Sequence, residues 1–588
     1  MKSIAKLLPV FLAALLFTSC YKDDLKDIKD SLDDVDARLA QLEAVNQQIG
    51  TINSTLSSLQ QGQSDLANNQ SQLAKLQVLM NQVTVLSKNP GTDLNELSTL
   101  LETVNANINE NKIDESIALV QDFLDNVDYN TVQLGNKSIS PQGQHMFDLK
   151  SGFEGISIYT LLTSEDVLPM SPDFVYGSMA DGNGLMRNGD GSFSLINNIE
   201  ADYSIARITF DPTFTPIRGE YILNATATAN TAMCSGTLVT PEEHGFGPIY
   251  LSGGEWGDGI KQGVYATDPS KKPVYRDQAR VLTSLGEWAV ENAVVMHKDA
   301  YPDKTVVMIG DDHSDNNIPQ GQFGLYVGNR GDLDGGKLYG LKVTTEGVEY
   351  EMDMKENMEY AFEMVELEEK EIDLLNQEAM DKGVMGFSRV EDIDYRKGAA
   401  NVREVYFAVT GRKKSSLEGK GTFYGRIYKL NFDENSPLSG TISPVLDGDI
   451  LDGKAKAFHS PDNVLATENF LYIQEDPNGY PDTADKSHYA QLYQYNLNTG
   501  ELKTVLECDQ ASASALGYGN TTTDWEITGM TDISDVIGVP NTFLLITQNH
   551  GWEPLDGSAF TDPQAIVDFK NSSSKEGSML FVIHGLER

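Results

Sequence analysis

Chemistry in this chain would be done by one thiol, a set of carboxylates and one arginine. Cys234 is followed by a Ser-Gly-Thr turn, then by the step Thr240-Pro241, then by a short apolar strand that ends near Glu255. A hairpin that brings a thiolate to a carboxylate supplies one soft and one hard donor, the beginning of a metal site. A lone cysteine in a β-rich chain is more often inert core than ligand, so further ligands must decide. Acids recur at the ends of strand-like runs: Glu200 after Asn198, Glu255, Glu291, Asp311 with Asp312, Glu391 beside Arg389, Asp462 with Asn463, and Glu475 with Asp476. Singly, each reads as a turn residue or a solvated loop acid. Focused on one channel they repel each other by several kcal/mol unless multivalent cations neutralise them.

The elements that must position these residues are mostly strands. Beyond residue 129, runs such as 203–210, 305–309, 337–343, 404–410, 425–432, 470–474, 489–497 and 542–548 alternate with Gly, Asn, Asp and Pro clusters. About 450 residues of short strands exceed one sandwich and suit a β-propeller of four-stranded blades. Residues 360–382 read as an acidic helix between blades, with Leu367, Ile372, Leu375 and Met380 as its apolar positions. The expected fold is therefore mainly β, a β-propeller over 129–588 preceded by an N-terminal α-helical coiled-coil stalk over 20–128.

The stalk is read from spacing. Leu25, Ile28, Leu32, Val35, Leu39 and Leu42 follow steps of three and four, slip at Val45, and resume at Ile49, Ile52, Leu56, Leu59, Leu66 and Leu73. Gln63 and Gln70 interrupt the seam, and the short step at Val45 is a stammer-like fault that overwinds a coil locally. Asn89-Pro90-Gly91 ends the helix, and a second helical segment covers 94–127. Either an extended stalk that self-associates into a homo-oligomer or a hairpin folded back on itself satisfies this pattern.

Residues 1–19 read as a signal peptide: Lys2 and Lys6, then an apolar run over 7–17 too short to span a bilayer. Leu-Phe-Thr-Ser-Cys20 resembles a bacterial lipobox, which makes Cys20 the lipidated first residue of the mature protein. The run Tyr21-Lys22-Asp23-Asp24 resembles a surface-export signal of such lipoproteins. The expected location is the bacterial outer membrane, held by the lipid and facing the periplasm or the surface. A net charge of -43, from 87 acids against 44 bases, argues against nucleic acid as a partner. Cys234 and Cys508 remain, and sequence does not place their Cα atoms for pairing.

In their shared order these segments resemble the PhoX-type alkaline phosphatases, propellers built around iron and calcium. The matching stretches are Cys234-Ser235-Gly236-Thr237 with Thr240-Pro241 and Glu255, the segment 286–295 with Glu291, and Gly331-Asp332-Leu333 with Gly336-Lys337-Leu338-Tyr339. Further matches are Phe387, Arg389 and Glu391, the stretch 460–463, and Glu526, Thr528 and Gly529 followed by Gln548 and His550. The resemblance covers roughly 180–588 and leaves the stalk outside. It implies Cys234, Glu291 and Glu391 as iron ligands, Glu255 and Asp462 as calcium ligands, and Arg389 facing the phosphate. It leaves Cys508 buried and free and makes Ser235 a turn residue, not a nucleophile.

The implied activity is hydrolysis of a phosphomonoester substrate. The alternative is a non-catalytic metal- or ligand-binding propeller lipoprotein that serves an outer-membrane uptake system. The chain departs from the family in lacking a twin arginine near Lys2, in replacing an imidazole by Ile199, and in lengthening the loop 242–248. That loop is the expected place for altered substrate choice.

Overall fold

The computed structural model describes residues 40–56, 72–73, 75–76, 79–80, 83, 94–110, 112–126, 132–140, 143–257, 261–273, 279–313, 317–477, 488–567 and 575–588. The signal peptide, Cys20, and the seam residues before 40 and over 57–71 lie outside them. The chain divides into two compact units, with the boundary between Tyr129 and Asn130.

In the first unit, residues 40–56 are helical, followed by helices Leu94–Asn109 and Ile113–Asn126. Val45, Ile49, Ile52 and Leu56 are buried in one core with Leu97, Leu101, Val104, Val120 and Leu124. Gln41 donates to Asn95 at 3.3 Å and Ser98 donates to Gln48 at 3.1 Å, so the first helical stretch lies along the second. Among the described residues the seam packs within the chain, the folded-back arrangement, and no extended stalk is seen. No described helix is long and apolar enough to cross a membrane.

The second unit is mainly β, with antiparallel sheets arranged as the blades of a propeller. Blade one contains Ala180–Arg187, Phe193–Ile199, Ser204–Phe210 and Pro216–Leu223; blade two contains Thr231–Val239, Ile249–Gly257, Gly263–Thr267 and Arg280–Val281. Blades three and four begin with Val290–Val295 and Val390–Tyr395 and form one continuous nine-stranded sheet, because Tyr360–Leu367 pairs with both outer edges. Blade five begins with Pro461–Ala466 and gains Phe147–Leu149 as an extra outer strand. Blade six holds Glu526–Asp532, Thr542–Asn549 and Gly577–His584, and Ser157–Thr163 completes it. The first strand of each blade contacts that of the next, and blade six returns to blade one. That closes a ring of six.

Strands covered on both faces must be apolar along their length, and the buried run of Thr542–Asn549 shows it. Between blades the cores are aromatic: Phe407 stacks on Tyr428 with centroids 5.0 Å apart, and Phe387 meets both edge-on. The expected helix over 360–382 is corrected. Residues 360–367 form a strand in which Tyr360, Phe362 and Met364 face inward and Ala361 and Glu363 outward, the two-residue period of a half-buried strand. Only Ile372–Lys382 is helical, ended by Gly383 at φ 76°.

Candidate metal centre

A shared backbone device sets the site. In blades one to five the first strand carries a β-bulge, two residues opposing one on the neighbouring strand, and the bulged pairs are Asp181-Gly182, Cys234-Ser235, Glu291-Asn292, Glu391-Asp392 and Asp462-Asn463. In blade six the bulge falls just beyond, at Gly529-Met530. A bulge twists its strand locally and re-aims the side chains it carries. Repeated around a ring, it delivers a thiol or a carboxyl from each of five blades. Met179, Arg389 and Ser460, each two residues before an acid of such a pair, hold left-handed backbone at φ 55°, 71° and 57°.

Close approach of the blades at this level requires glycine. A Cβ at Gly253 would lie 2.1 Å from the backbone oxygen of Glu291, and one at Gly182 would lie 2.1 Å from the nitrogen of Gly236. Donor atoms therefore converge. Those of Asp181, Cys234 and Glu291 lie within 4.8 Å of one another, and so do those of Glu200, Cys234 and Glu255. The Cys234 thiol donates to Glu255 Oε2 at 3.1 Å. Glu200 is held by the Trp256 indole at 2.7 Å on one oxygen and by Gln548 at 3.0 Å on the other. The backbone N–H of Ser235 donates to Glu291 Oε1 at 3.2 Å.

Burial and mutual repulsion favour the protonated form of the cluster's groups. Burial, then the charges of Glu200, Glu291, Glu255 and Asp181, push the Cys234 thiol well above its ordinary range. Burial and then Glu255 and Asp181 raise Glu291 in the same way; burial and then Asp312 raise Glu255. Burial and then Asp476 raise both Asp462 and Glu526. Arg389 is the nearest counter-charge. Its Nε and Nη2 fork onto both oxygens of Asp312 at 2.6 and 2.8 Å, and Nη2 lies 3.0 Å from Glu391. Burial raises Glu391 and Arg389 lowers it, with a net upward shift.

The donor set fits multivalent cations. A thiol among carboxylates suits an ion that takes both soft and hard ligands, and the surplus of oxygen donors suits calcium. Gln548 Oε1 is buried with no hydrogen-bond donor among the described residues, a carbonyl beside Glu200 that lacks a positive partner.

Cys234, Glu255 and Glu291 are thus brought together, and Glu391 and Asp462 stand in the same acid field at the adjacent blades. Glu255, Asp462 and Arg389 are partly exposed and mark the open mouth, whereas Asp181, Glu200, Cys234, Glu291 and Glu391 are buried below. Asp181 completes the first triad without any sequence signal, since Asp-Gly-Asn-Gly has the composition of a turn. Glu200, seen at a strand end, joins the second triad.

Two expectations are corrected. Ser235 is not a turn residue but part of the bulged strand, and its hydroxyl accepts from Asn463 at 2.7 Å. The long loop after Thr240 lies at the far end of the hairpin from Cys234, roughly 20 Å along the strand at about 3.3 Å per residue. There Thr240 caps a short helix, Pro241–His244, and Tyr395 and Lys397 engage Glu243. That loop cannot shape the mouth. Cys508 is buried and free in blade five, and it does not pair with Cys234.

No family model matches this chain, and no curated relative matches it. Similar solved structures include the Neurospora crassa Pan2 WD40 domain, at 9% identity over 72% of this chain and 95% of that one, with a TM-score of 0.31. A GH43 β-1,3-galactosidase with galactodeoxynojirimycin is similar at 10% identity over 66% and 90%, with a TM-score of 0.30. The N-terminal domain of Nup159 is similar at 9% identity over 77% and 100%, with a TM-score of 0.27. At these scores the likeness carries no chemistry, and the propeller rests on this chain's own strand order.

Proposed function

We propose that this protein is a metal-dependent phosphatase of the PhoX type that hydrolyses phosphomonoesters outside the cytoplasm. The observation that carries the reading is the pair of triads sharing Cys234, Asp181 with Glu291 and Glu200 with Glu255, each within 4.8 Å. Cys234, Glu291, Glu391 and Asp181 would hold iron, and Glu255, Asp462 and Glu200 would hold calcium. Such ions, when bound, neutralise the phosphate and supply an activated oxygen nucleophile.

The chain's own groups prepare the site. Asn198 donates to the carbonyl of Cys234 at 2.5 Å and fixes the backbone that aims the thiol. Trp256 and Gln548 set both oxygens of Glu200, so that carboxylate needs little reorganisation to serve as a ligand. Arg389, at the mouth, exchanges its planar fork from Asp312 to two oxygens of an arriving phosphate.

The same fork favours a second reading. Because Arg389 is already committed to Asp312 and Glu391, a propeller that binds metal or ligand for an outer-membrane uptake system would leave it as it stands. A lipid anchor at Cys20 completes the proposal in either case.

Purified mature protein assayed on a chromogenic phosphomonoester with calcium, alongside elemental analysis, separates the two. Hydrolysis with bound iron is expected. Iron without hydrolysis from neutral to alkaline pH leaves the binding reading. Cys234→Ser is expected to lose iron and colour, and unchanged iron would remove Cys234 from the ligand set.

A further inference from the structure

An acid-lined mouth repels anions, yet one basic segment stands beside it. Arg412, Lys413, Lys414 and Lys420 place four of the chain's 44 basic residues within nine positions, in a protein of net charge -43. They lie on the loop between Glu404–Val409 and Arg426–Asp433 of blade four. Val409 pairs with Val390, so this loop leaves the sheet at the end where Arg389 and Glu391 sit. The N–H of Thr410 donates to the carbonyl of Arg389 at 3.1 Å, and that of Gly411 to Ser388 at 3.0 Å.

The loop is built rather than loose. Leu417 is buried beneath it, and a Cβ at Gly421 would lie 2.0 Å from Ser388 Oγ. One oxygen of the buried Glu351 accepts from the N–H groups of both Ser388, at 2.9 Å, and Thr422, at 3.0 Å, tying the loop's return to the residue before Arg389. Lys420 reaches the carbonyl of Asn317 at 3.2 Å, on the blade-three loop that carries Asp312. Lys413 is exposed.

We infer that this loop is a subsite for a second anionic group, and that the substrate bears at least two phosphates. The inference rests on the phosphatase reading and deepens it. One phosphate enters the channel; the other stays outside, where the Arg412–Lys414 cations offset the repulsion of the acid rim. Clustered cations beside a charged cleft raise local anion concentration and discriminate by charge.

The test uses the full chain and two esters, p-nitrophenyl phosphate and fructose 1,6-bisphosphate, at low ionic strength. The triple variant Arg412→Gln, Lys413→Gln, Lys414→Gln is compared with a charge-matched control, Lys272→Gln, Lys337→Gln, Lys503→Gln, after circular dichroism shows both folded. The loop variant is expected to raise KM for the bisphosphate about tenfold and to leave p-nitrophenyl phosphate within about twofold, with no such split in the control. Equal shifts for both esters, or none, overturn the subsite. If the wild type hydrolyses neither ester, the phosphatase reading falls. Titration calorimetry with fructose 1,6-bisphosphate then decides the subsite: binding weakened about tenfold in the loop variant supports it, and equal or absent binding overturns it.

Discussion

Asn463 donates its side-chain N–H to Ser235 Oγ at 2.7 Å although the two residues belong to opposite blades, five and two, of a six-membered ring. Blades on opposite sides can touch only where the channel has closed. Thr528 Oγ1 meets both Asn463 Oδ1, at 2.7 Å, and Asp181 Oδ1, and its one proton serves one of them at a time. Asn292 joins Asp392, whose other oxygen accepts from the N–H of Val464 at 2.9 Å. The acid cluster therefore rests on a hydrogen-bonded floor, and it forms a cup with one mouth.

Breaking that floor should be costly. Asn463→Leu removes the donor to Ser235 Oγ in a buried setting and is expected to lower stability by about 2–4 kcal/mol. Urea denaturation of mature protein measures it; a loss within about 0.5 kcal/mol would show that water replaces the amide freely.

Chelation should have a larger effect. Carboxylates this close repel by about 4 kcal/mol per pair at 4 Å in an effective dielectric of about 20. Removing bound cations is expected to lower Tm by roughly 10 °C, with full recovery on adding calcium and iron. Asp181→Asn is expected to weaken metal affinity at least about tenfold while the circular dichroism spectrum is kept. Unchanged metal content by elemental analysis would remove Asp181 from the site.

Gly253 is predicted to admit no side chain. With a Cβ 2.1 Å from a backbone oxygen of the next blade, Gly253→Ala forces blades two and three apart. The expected cost is about 3 kcal/mol, with loss of bound metal. A soluble variant of wild-type Tm would refute the packing.

Acid should weaken the far end of the ring through His244. This imidazole is 2% exposed, and its Nδ1 accepts the N–H of Thr240 at 2.9 Å, which a protonated ring cannot do. Burial holds its pKa down at about 4, against the pull of Glu243 and with the push of Lys397 and His297. Unfolded, it protonates near 6.5, so stability falls as pH drops from about 6.5 toward 4. Between pH 7 and 4.5, wild type is expected to lose about 2 kcal/mol more than His244→Asn by urea melts. Parallel losses would contradict the assignment.

The eight runs named as strands, 203–210 through 542–548, each fall on a strand, because their alternation or apolar runs survive without context; residues 337–343 appear over the range expected. Acids at strand ends were legible as a set because they recur from blade one to blade five. The bulges were not, for two physical reasons. Insertions such as 360–382 make the intervals between Glu291, Glu391 and Asp462 unequal, which hides the recurrence of an acid followed by Asn or Asp. Asp181 sits among glycines that look like a turn until Gly236 is seen pressed against Gly182. The error over 360–367 came from reading spacing at period three or four where period two also fits.

The closing strand has a consequence for biosynthesis. Ser157–Thr163 pairs with Gly577–His584, partners more than 400 residues apart in the chain, so the ring cannot shut until nearly all of the blades exist. Contacts that distant form late and slowly. A nascent chain that has made blades one and two holds Asp181, Glu200, Cys234 and Glu255, while Glu291, Glu391 and Asp462 are still to come from later blades. The full donor set is thereby assembled only in the finished molecule, in whatever compartment the last blade docks.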